Sequence, residues 1–337
     1  MSKGKIKILI VDDSVVCQEV MRAFLSQAAD IEIIGMASSG KEAILLNARL
    51  KPDLITMDLL MPGMDGFQAV EEIMATRPIP ILVVTSEPVA NGVDKTFRAL
   101  TVGALDLIRK PDPLKESVSA LLDKIRTLAG VAVVKRAKKT SLIIRPARAS
   151  PGRPIIGIAS STGGPKVLLT LLGALGRDFP GTILVVQHLP IGFHESFVTF
   201  LNNELSLDVS LARENEEIQP GRILLAPPDQ HLFLRSPRRI GLGRSHLVSG
   251  QRPSGTVLFQ SLARVCPTQS AGIVLTGMGR DGAEGLLELR SAGGLCVAQD
   301  EASSIVFGMP RVAIELCAVD RVLNIEELQH FLVNMGG

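Results

Sequence analysis

Short apolar runs alternate with amphipathic stretches along the first third of the chain. Five such runs occur at residues 5–11, 31–37, 54–57, 81–85 and 104–108. The stretches between them, among them VVCQEVMRAFL and FQAVEEIMATR, have the apolar spacing of helices. Strands that are apolar on both faces and alternate with helices are typical of a parallel sheet with helices on both sides. The pattern therefore predicts a doubly wound α/β domain.

The second half of the chain repeats this alternation. The runs PIIGIAS, TILVVQ, AGIVLTG and CVAQD predict further strands, and RILLAPPDQHLFLRS predicts an all-β segment among them. Between the halves, residues 135–153 contain seven Lys and Arg and no acid, with Pro, Ser and Gly near their end, which is linker composition. We therefore predict two doubly wound parallel-sheet α/β domains at residues 1–127 and 154–337, joined by a basic linker at 128–153.

Composition supports this organisation. A chain of 337 residues favours two domains, and 46% hydrophobic with 21% charged residues is ordinary for a globular protein. No apolar run approaches the length of about 18 residues that a membrane helix needs. The apolar run near the N-terminus is too short for a signal peptide, and the four cysteines show no CxxC spacing. We expect a cytoplasmic protein with no membrane insertion.

The charge is concentrated in the predicted linker. Outside residues 135–153 there are 29 basic and 34 acidic residues, and residues 154–337 hold 14 basic and 17 acidic ones. A second domain of net negative charge, in a chain without Trp or Tyr, is poorly suited to bind nucleic acid. We therefore expect no nucleic-acid partner, and the linker is either solvated or a contact for an acidic partner.

Polar residues follow the strands of the first domain at one edge of the predicted sheet. Asp12 and Asp13 follow the first strand, Asp58 the third, Thr85 ends the fourth, and Lys110 follows the fifth. Three carboxylates at one edge repel each other unless a cation joins them, and such oxygen ligands favour Mg²⁺. A lysine and a hydroxyl beside them suit a phosphoryl group carried on a nucleophilic aspartate. Helix capping explains any one of these aspartates but not the whole set.

The segments IKILIVDDS, LITMDLLMPGMDG, VVTSE and GALDLIRKP resemble a two-component receiver domain of the flavodoxin-like type. The resemblance implies phosphorylation of Asp58 by a histidine kinase. It also implies a Mg²⁺ site at Asp12, Asp13, Asp58 and the Leu60 carbonyl, and phosphoryl contacts from Thr85 and Lys110.

One position departs from the receiver pattern. Leu107 lies three residues before Lys110, where receivers often carry an aromatic residue that rotates on activation. An aromatic switch is therefore not expected in this chain.

Two hypotheses compete for the second domain. Gly277, Gly279 and Gly282 form a GxGxxG pattern between a strand and a helix, and Asp300 follows the next strand, as in dinucleotide-binding domains. Against this, Asp281 places a carboxylate inside the loop that must bind a pyrophosphate.

The second hypothesis is a Ser–His–Asp hydrolase. Ser161 lies at a strand-to-helix turn, His188 follows the next strand, and Asp281 is predicted to end another strand. All three would meet at one edge of a parallel sheet, as nucleophile, general base and orienting carboxylate must. Taken singly, each residue could instead be a helix cap or an ordinary residue at a strand end.

The wider pattern resembles the chemotaxis protein-glutamate methylesterases of the CheB family. It is carried by STGGP, QHLP, PPDQHLFL, RPSGTVLF, VLTGMGRDGAEG and QDEASSIVFGMP, which span nearly all of residues 154–337. The resemblance implies hydrolysis of glutamyl methyl esters on the cytoplasmic helices of methyl-accepting chemoreceptors, with methanol release and deamidation of receptor glutamines. A receiver-regulated binding module with a degenerate hydrolase domain is the alternative.

By this resemblance Ser161 is the nucleophile, His188 the base and then the acid, and Asp281 the residue that orients it. The Met278 N–H, with Thr162 nearby, is the candidate oxyanion donor, and the esterase needs no cofactor. The resemblance also implies that the unphosphorylated receiver inhibits the esterase. Two departures stand out: residues 159–160 are Ala-Ser where Gly-Ala is usual, and residues 255–256 are Gly-Thr where Val-Asp is usual. The first leaves open whether the neighbouring Ser160 attacks.

Overall fold

The structure, a computed structural model, describes residues 4–86, 95–111, 118–131 and 153–335. The chain divides into two units, Met1–Lys138 and Lys139–Gly337. Most of the predicted linker at 128–153 lies outside the described residues, so its boundaries stay predictions.

The first unit contains a five-stranded parallel sheet with the order β2-β1-β3-β4-β5. Strands β3 and β4 are buried along their whole length, as expected for strands covered on both faces. The strands are β1 (Ile6–Val11), β2 (Ile31–Ala37), β3 (Leu54–Met57), β4 (Ile81–Thr85) and β5 (Asp106–Arg109), and the helices are α1 (Val15–Leu25), α2 (Gly40–Leu50), α3 (Gly66–Thr76), α4 (Lys95–Val102) and α5 (Val118–Ala129).

Three helices of this unit begin at side-chain caps that the sequence supplies. The side chains of Ser14, Ser39 and Asp65 each accept a hydrogen bond from the backbone N–H three residues ahead, at the starts of α1, α2 and α3. Such caps satisfy N–H groups that have no partner inside the helix. They fix where each helix starts relative to the strand before it.

The second unit is built on a seven-stranded sheet with the order β14-β13-β12-β6-β7-β9-β8, in which every pairing is parallel. Its strands are β6 (Ile155–Ser160), β7 (Thr182–Gln187), β8 (Asp208–Leu211), β9 (Arg222–Leu225), β10 (His231–Ser236), β11 (Arg239–Gly243), β12 (Ser270–Val274), β13 (Leu295–Gln299) and β14 (Arg321–Leu323). Its helices are α6 (Gly164–Leu172), α7 (His194–Glu204), α8 (Gly255–Val265), α9 (Ala283–Ser291), α10 (Met309–Glu315) and α11 (Ile325–Met335). The predicted fold class, two parallel-sheet α/β domains, is confirmed.

The predicted all-β segment at residues 222–236 is divided between two sheets. Strand β9 joins the large sheet between β7 and β8, because its apolar residues are buried there. Strand β10 pairs instead with β11 in an antiparallel hairpin. The large sheet therefore contains one strand, β9, that the sequence pattern had grouped with the all-β segment.

The order β12-β6-β7 determines which loops meet at the carboxyl edge of the large sheet. Ser161 directly follows β6 and His188 directly follows β7, as predicted. The prediction that Asp281 ends a strand is wrong, because β12 ends at Val274. Past that point the Leu275 N–H still donates to the carbonyl of Ala159 (2.9 Å), and the Gly277 N–H then donates to the carbonyl of Val306 (3.0 Å).

Candidate active site

Ser161 lies in the tight connection between β6 and α6. Its backbone N–H donates to the carbonyl of Thr276 (3.0 Å), and its own carbonyl accepts from the N–H of Gly164 (2.8 Å). Gly163 has φ of 78° in this connection, and a Cβ on it would lie 2.7 Å from Ile305 Cδ1. A glycine is therefore needed for both the backbone conformation and the close approach. It also leaves the N-terminus of α6 without a capping side chain beside Ser161.

The two neighbouring serines have different environments. Ser160 is fully buried, and its hydroxyl donates to Oε1 of Gln187 (2.7 Å). Ser161 is partly exposed. Because a nucleophile must be reached by its substrate, this geometry favours Ser161 over Ser160.

His188 binds Asp281 through only one of its ring nitrogens. Its Nε2 lies 2.9 Å from Oδ2 of Asp281, and the His188 side chain is 10% exposed. The other nitrogen, Nδ1, is buried and has no hydrogen-bond partner among the described residues. A proton on Nε2 is held by the carboxylate, so Nδ1 is the nitrogen left to accept a proton from a nucleophile.

Asp281 is held by the N-terminus of α8. Its Oδ1 accepts from the hydroxyl of Ser254 (2.5 Å) and the N–H of Thr256 (3.2 Å), and its Oδ2 accepts from the N–H of Gly255 (2.7 Å) as well as from His188. The residue is 2% exposed. Burial alone would raise the pKa of Asp281, but the hydrogen bonds from His188, Ser254 and Gly255 outweigh it and lower the pKa below its usual value.

The loop after β12 contacts the nucleophile. A Cβ on Gly277 would lie 2.8 Å from Cβ of Ser161, so only glycine allows the loop to pass there. Met278 follows directly and is 43% exposed. Thr162 is buried, and its carbonyl accepts from the hydroxyl of Thr276 (3.0 Å). The predicted oxyanion residues thus flank Ser161 on two separate loops.

Sequence reasoning missed the residues that hold this site together. Ser254, Gly255 and Thr256 bind Asp281, and Gln187 binds both loops that carry Ser161 and His188. A signal was present at Ser254, because a serine before a helical run is a typical N-cap. Nothing local indicated which carboxylate that helix end would bind.

The two departures from the family pattern meet in space. A Cβ on Gly255 would lie 2.4 Å from Cβ of Ala159, so the alanine occupies space that a larger residue at 255 would need. At the adjacent position, the hydroxyl of Thr256 accepts from the N–H of Gly282 (2.8 Å), which ties the loop after Asp281 to α8. We interpret Ala159 and Gly255 as one coupled change rather than two independent ones.

The first unit forms a second cluster at its own carboxyl edge. The carboxylates of Asp12, Asp13 and Asp58 each offer an oxygen within 4.8 Å of the others. Lys110 Nζ lies 2.7 Å from both Asp12 and Asp58, and the backbone N–H of Lys110 donates to the carbonyl of Thr85 (2.8 Å). Although burial lowers the pKa of Lys110, its contacts with the two aspartates raise it well above its usual value.

Asp58 is buried in an environment that disfavours its charge. Burial raises its pKa above the usual value, and the hydrogen bonds from Lys110 and the Leu60 N–H oppose that rise without cancelling it. Three hard oxygen donors at this spacing fit Mg²⁺. Leu107 is buried in β5 and is 1% exposed, so it packs as a core residue.

The dinucleotide-binding hypothesis does not fit the loop at 277–282. Gly277 packs against Ser161 and Met309, and the Asp281 carboxylate that follows binds α8. A pyrophosphate would meet this anion where the fold requires a helix N-terminus free for phosphate.

No helix in the described part of the chain is long and apolar enough to cross a bilayer.

Each of the two units matches a family of known proteins. Residues 156–332 match the CheB methylesterase family model, and residues 8–122 match the response regulator receiver domain model. The chain is 41% identical to a protein-glutamate methylesterase/protein-glutamine glutaminase of Anaeromyxobacter dehalogenans, over 97% of this chain and 96% of that protein. It is 36% identical to the corresponding protein of Pyrococcus horikoshii, over 98% and 93%.

A solved structure supports the same comparison. The second unit is similar to the CheB methylesterase catalytic domain of Thermotoga maritima, with a TM-score of 0.53 and 34% sequence identity. The match covers 55% of this chain and 99% of that domain.

Proposed function

Since the chain belongs to the CheB methylesterase family and carries a receiver domain before its catalytic domain, we propose that Ser161, His188 and Asp281 hydrolyse glutamyl methyl esters of chemoreceptors. The products are glutamate and methanol. The observation that carries this assignment is the hydrogen bond from His188 Nε2 to Asp281, which leaves the buried Nδ1 without a partner among the described residues. An intact acid–base pair of this kind disfavours the alternative of a degenerate binding module.

The reaction proceeds through an acyl-enzyme. The Ser161 hydroxyl attacks the ester carbonyl while Nδ1 of His188 takes its proton. The resulting imidazolium, stabilised by Asp281, protonates the leaving methoxide, and methanol departs. Water then attacks the acyl-enzyme with His188 again as base, and glutamate and free Ser161 result. The same steps with ammonia as the leaving group deamidate glutamine.

The negative charge of the tetrahedral intermediate develops beside the start of α6. The N-terminus of this helix is uncapped by a side chain, and its dipole favours an anion. We assign the oxyanion contact to the N–H of Met278, near Thr162. Thr162 directly follows Ser161 in the chain, and Met278 directly follows Gly277, which packs against Ser161.

The receiver supplies regulation through Asp58. In our proposal a chemotaxis histidine kinase donates the phosphoryl group to Asp58. Asp12, Asp13 and Asp58 would hold Mg²⁺, and Thr85 and Lys110 would contact the phosphoryl oxygens. When bound, Mg²⁺ would neutralise charge between the carboxylates and the phosphoryl group. The substrates are cytoplasmic receptor helices, so the enzyme acts in the cytoplasm, and the esterase itself uses no cofactor.

A pair of adjacent substitutions tests the nucleophile. Ser161→Ala should reduce methanol release from a methylated receptor fragment by several orders of magnitude, because the attacking oxygen is lost. Ser160→Ala should retain most activity, since it removes only a buried hydrogen bond to Gln187. Comparable losses in both variants, or activity that survives Ser161→Ala, would contradict the assignment.

A further inference from the structure

Gln187 bonds to both of the loops that carry Ser161 and His188. It is the last residue of β7 and is 1% exposed. Its Nε2 donates to the carbonyl of Ser161 (3.0 Å) and to the carbonyl of His188 (2.9 Å), and its Oε1 accepts from the hydroxyl of Ser160 (2.7 Å). We propose that Gln187 is a positioning residue that sets the nucleophile against the base, an inference that rests on the function proposed above.

The orientation of the Gln187 amide is determined by its partners. Two carbonyl oxygens accept only, so they require the nitrogen, which has two hydrogens to donate. The Ser160 hydroxyl can donate or accept, and it therefore adapts to the remaining oxygen. Reversing the amide would place its oxygen against two carbonyl oxygens in a buried site, which is strongly unfavourable.

The backbone of Gly164 also packs closely against the Gln187 side chain. A Cβ on Gly164 would lie 2.0 Å from Oε1 of Gln187 and 2.9 Å from Cβ of Ser160. The start of α6 therefore closes over the amide, and a glycine at this point is what allows the approach. Any side chain at position 164 would displace the amide.

The hydrogen bonds of Gln187 continue the pairing of β6 with β7 past its end. The last paired residues of the two strands are Ser160 and Gln187, and the last ladder bond runs from the N–H of His188 to the carbonyl of Ser160 (3.0 Å). Ser161 and His188 lie one step beyond. Without the amide, the carbonyls of these two residues lose their shared donor, and the two loops are no longer joined at that level.

This placement has a kinetic consequence. Proton transfer from Ser161 to His188 needs the two side chains at hydrogen-bond distance, and a displacement of about 1 Å can reduce a rate about 10²-fold. Loss of the Gln187 amide should therefore lower the rate of acylation. Binding of the receptor helix should change little, because Gln187 is buried and out of reach of a bound helix.

Two substitutions of similar size test the proposal. Gln187→Met removes the donors and the acceptor, and Gln187→Glu replaces the donor by an anionic oxygen facing two carbonyls. We expect kcat per active site to fall about 10²-fold in both, with KM within about threefold of wild type. In Gln187→Glu, activity relative to wild type should rise as the pH is lowered, because a protonated carboxyl regains one donor.

The number of active sites is measured by titration with an organophosphonate that labels the serine. The control is Asn202→Leu, which removes another side-chain amide bonded to backbone, at Val209 N and O, and should keep kcat per titrated site. If the Gln187 variants lose only titratable sites and keep wild-type kcat per site, Gln187 is merely structural and the proposal is wrong. Should Gln187→Met not fold, the pH ratio of Gln187→Glu decides, and a flat ratio overturns the proposal.

The outcome is separable from that of the proposed function. If Ser161→Ala stays active, the hydrolase assignment fails whatever the Gln187 variants do. If Ser161→Ala is inactive while both Gln187 variants keep full kcat per site, only the positioning role fails.

Discussion

Asp281→Asn separates the charge of the orienting carboxylate from its shape. The amide group of asparagine must turn its NH₂ either toward Ser254 and Thr256 or toward Gly255 and His188. In the second orientation the NH₂ meets the Gly255 N–H, which donates to Asp281 at 2.7 Å, and that N–H is left without an acceptor. In the first, the Ser254 hydroxyl can rotate to accept, and the Thr256 N–H keeps its bond to that hydroxyl (3.2 Å). We therefore expect an oxygen to go on facing His188.

The expected loss of activity follows from this orientation. The tautomer of His188 is preserved, but the negative charge that stabilises its imidazolium is gone. At an effective dielectric constant near 20, two charges about 4 Å apart interact with about 4 kcal/mol, or about 10³ in rate. We expect kcat to fall about 10²- to 10³-fold, less than the roughly 10⁴-fold that the equivalent change costs a serine protease in which the wrong histidine tautomer results. The acid limb of kcat/KM should move to lower pH.

The same substitution should also lower the stability of the catalytic domain. In the expected orientation the Thr256 N–H faces the new NH₂ group. A buried donor that faces another donor costs about 1–3 kcal/mol, which for a domain of this size lowers Tm by roughly 2–12 °C. Methanol release, active-site titration and thermal unfolding measure the three effects on one preparation. The matched control is Ser254→Ala, which should cost about 1 kcal/mol as a lost N-cap while activity stays within about tenfold, since the carboxylate and its bond to His188 remain.

Two results would refute this reasoning. A folded Asp281→Asn protein with activity within about tenfold of wild type would show that the carboxylate does not stabilise His188. A loss of about 10⁴-fold or more, with no shift of the acid limb, would show instead that the tautomer had changed.

Two further predictions concern packing and the receiver. Gly255→Ala should destabilise the catalytic domain by about 1–3 kcal/mol, because its Cβ meets Ala159 at 2.4 Å, and adding Ala159→Gly should restore at least half of that in urea unfolding; independent effects would contradict the coupling. Asp58→Asn should raise the melting temperature of the receiver domain in calorimetry at neutral pH. The pKa of Asp58 is raised in the folded state, so above that pKa its negative charge destabilises the fold, and Lys110 keeps Asp12 as a partner when the charge is removed. The same variant should show no rise in methanol release with a small phosphodonor and Mg²⁺, and a rise would exclude Asp58 as the acceptor.

The fold, and the places of Ser161 and His188 at strand ends, can be predicted from the sequence because they depend on local pattern. Apolar runs in the sequence predict where each strand of a parallel sheet ends, and Ser161 and His188 each follow a strand directly. The motif identifies Asp281 but not its position, since six residues of loop separate it from β12. Its hydrogen-bond donors at 254–256 are supplied by a helix that begins 26 residues earlier in the chain.

The role that we propose for Gln187 cannot be predicted from the sequence, for a similar reason. In the sequence, Gln187 is the last residue of an apolar strand, and nothing near it in the sequence assigns a chemical role to a glutamine at that position. Its role depends on the turn after β6, whose two glycines and serine pair come within reach only when the strands align. Side-chain hydrogen bonds between loops are set by strand register, which a single sequence does not specify residue by residue.

Asp58 and Asp281 are buried aspartates whose pKa values are shifted in opposite directions. Both are almost fully buried, at 3% and 2% exposure, yet the pKa of Asp58 is raised and that of Asp281 is lowered. Asp281 accepts hydrogen bonds from a helix N-terminus, a hydroxyl and His188, so its charge is already satisfied, which suits the orienting role we propose for it. Asp58 shares one lysine with Asp12, so its charge is incompletely satisfied and gains from a metal ion. The difference lies in the number of donors rather than in burial, and it agrees with the roles we propose: an orienting group in the catalytic domain and a phosphoryl acceptor in the receiver.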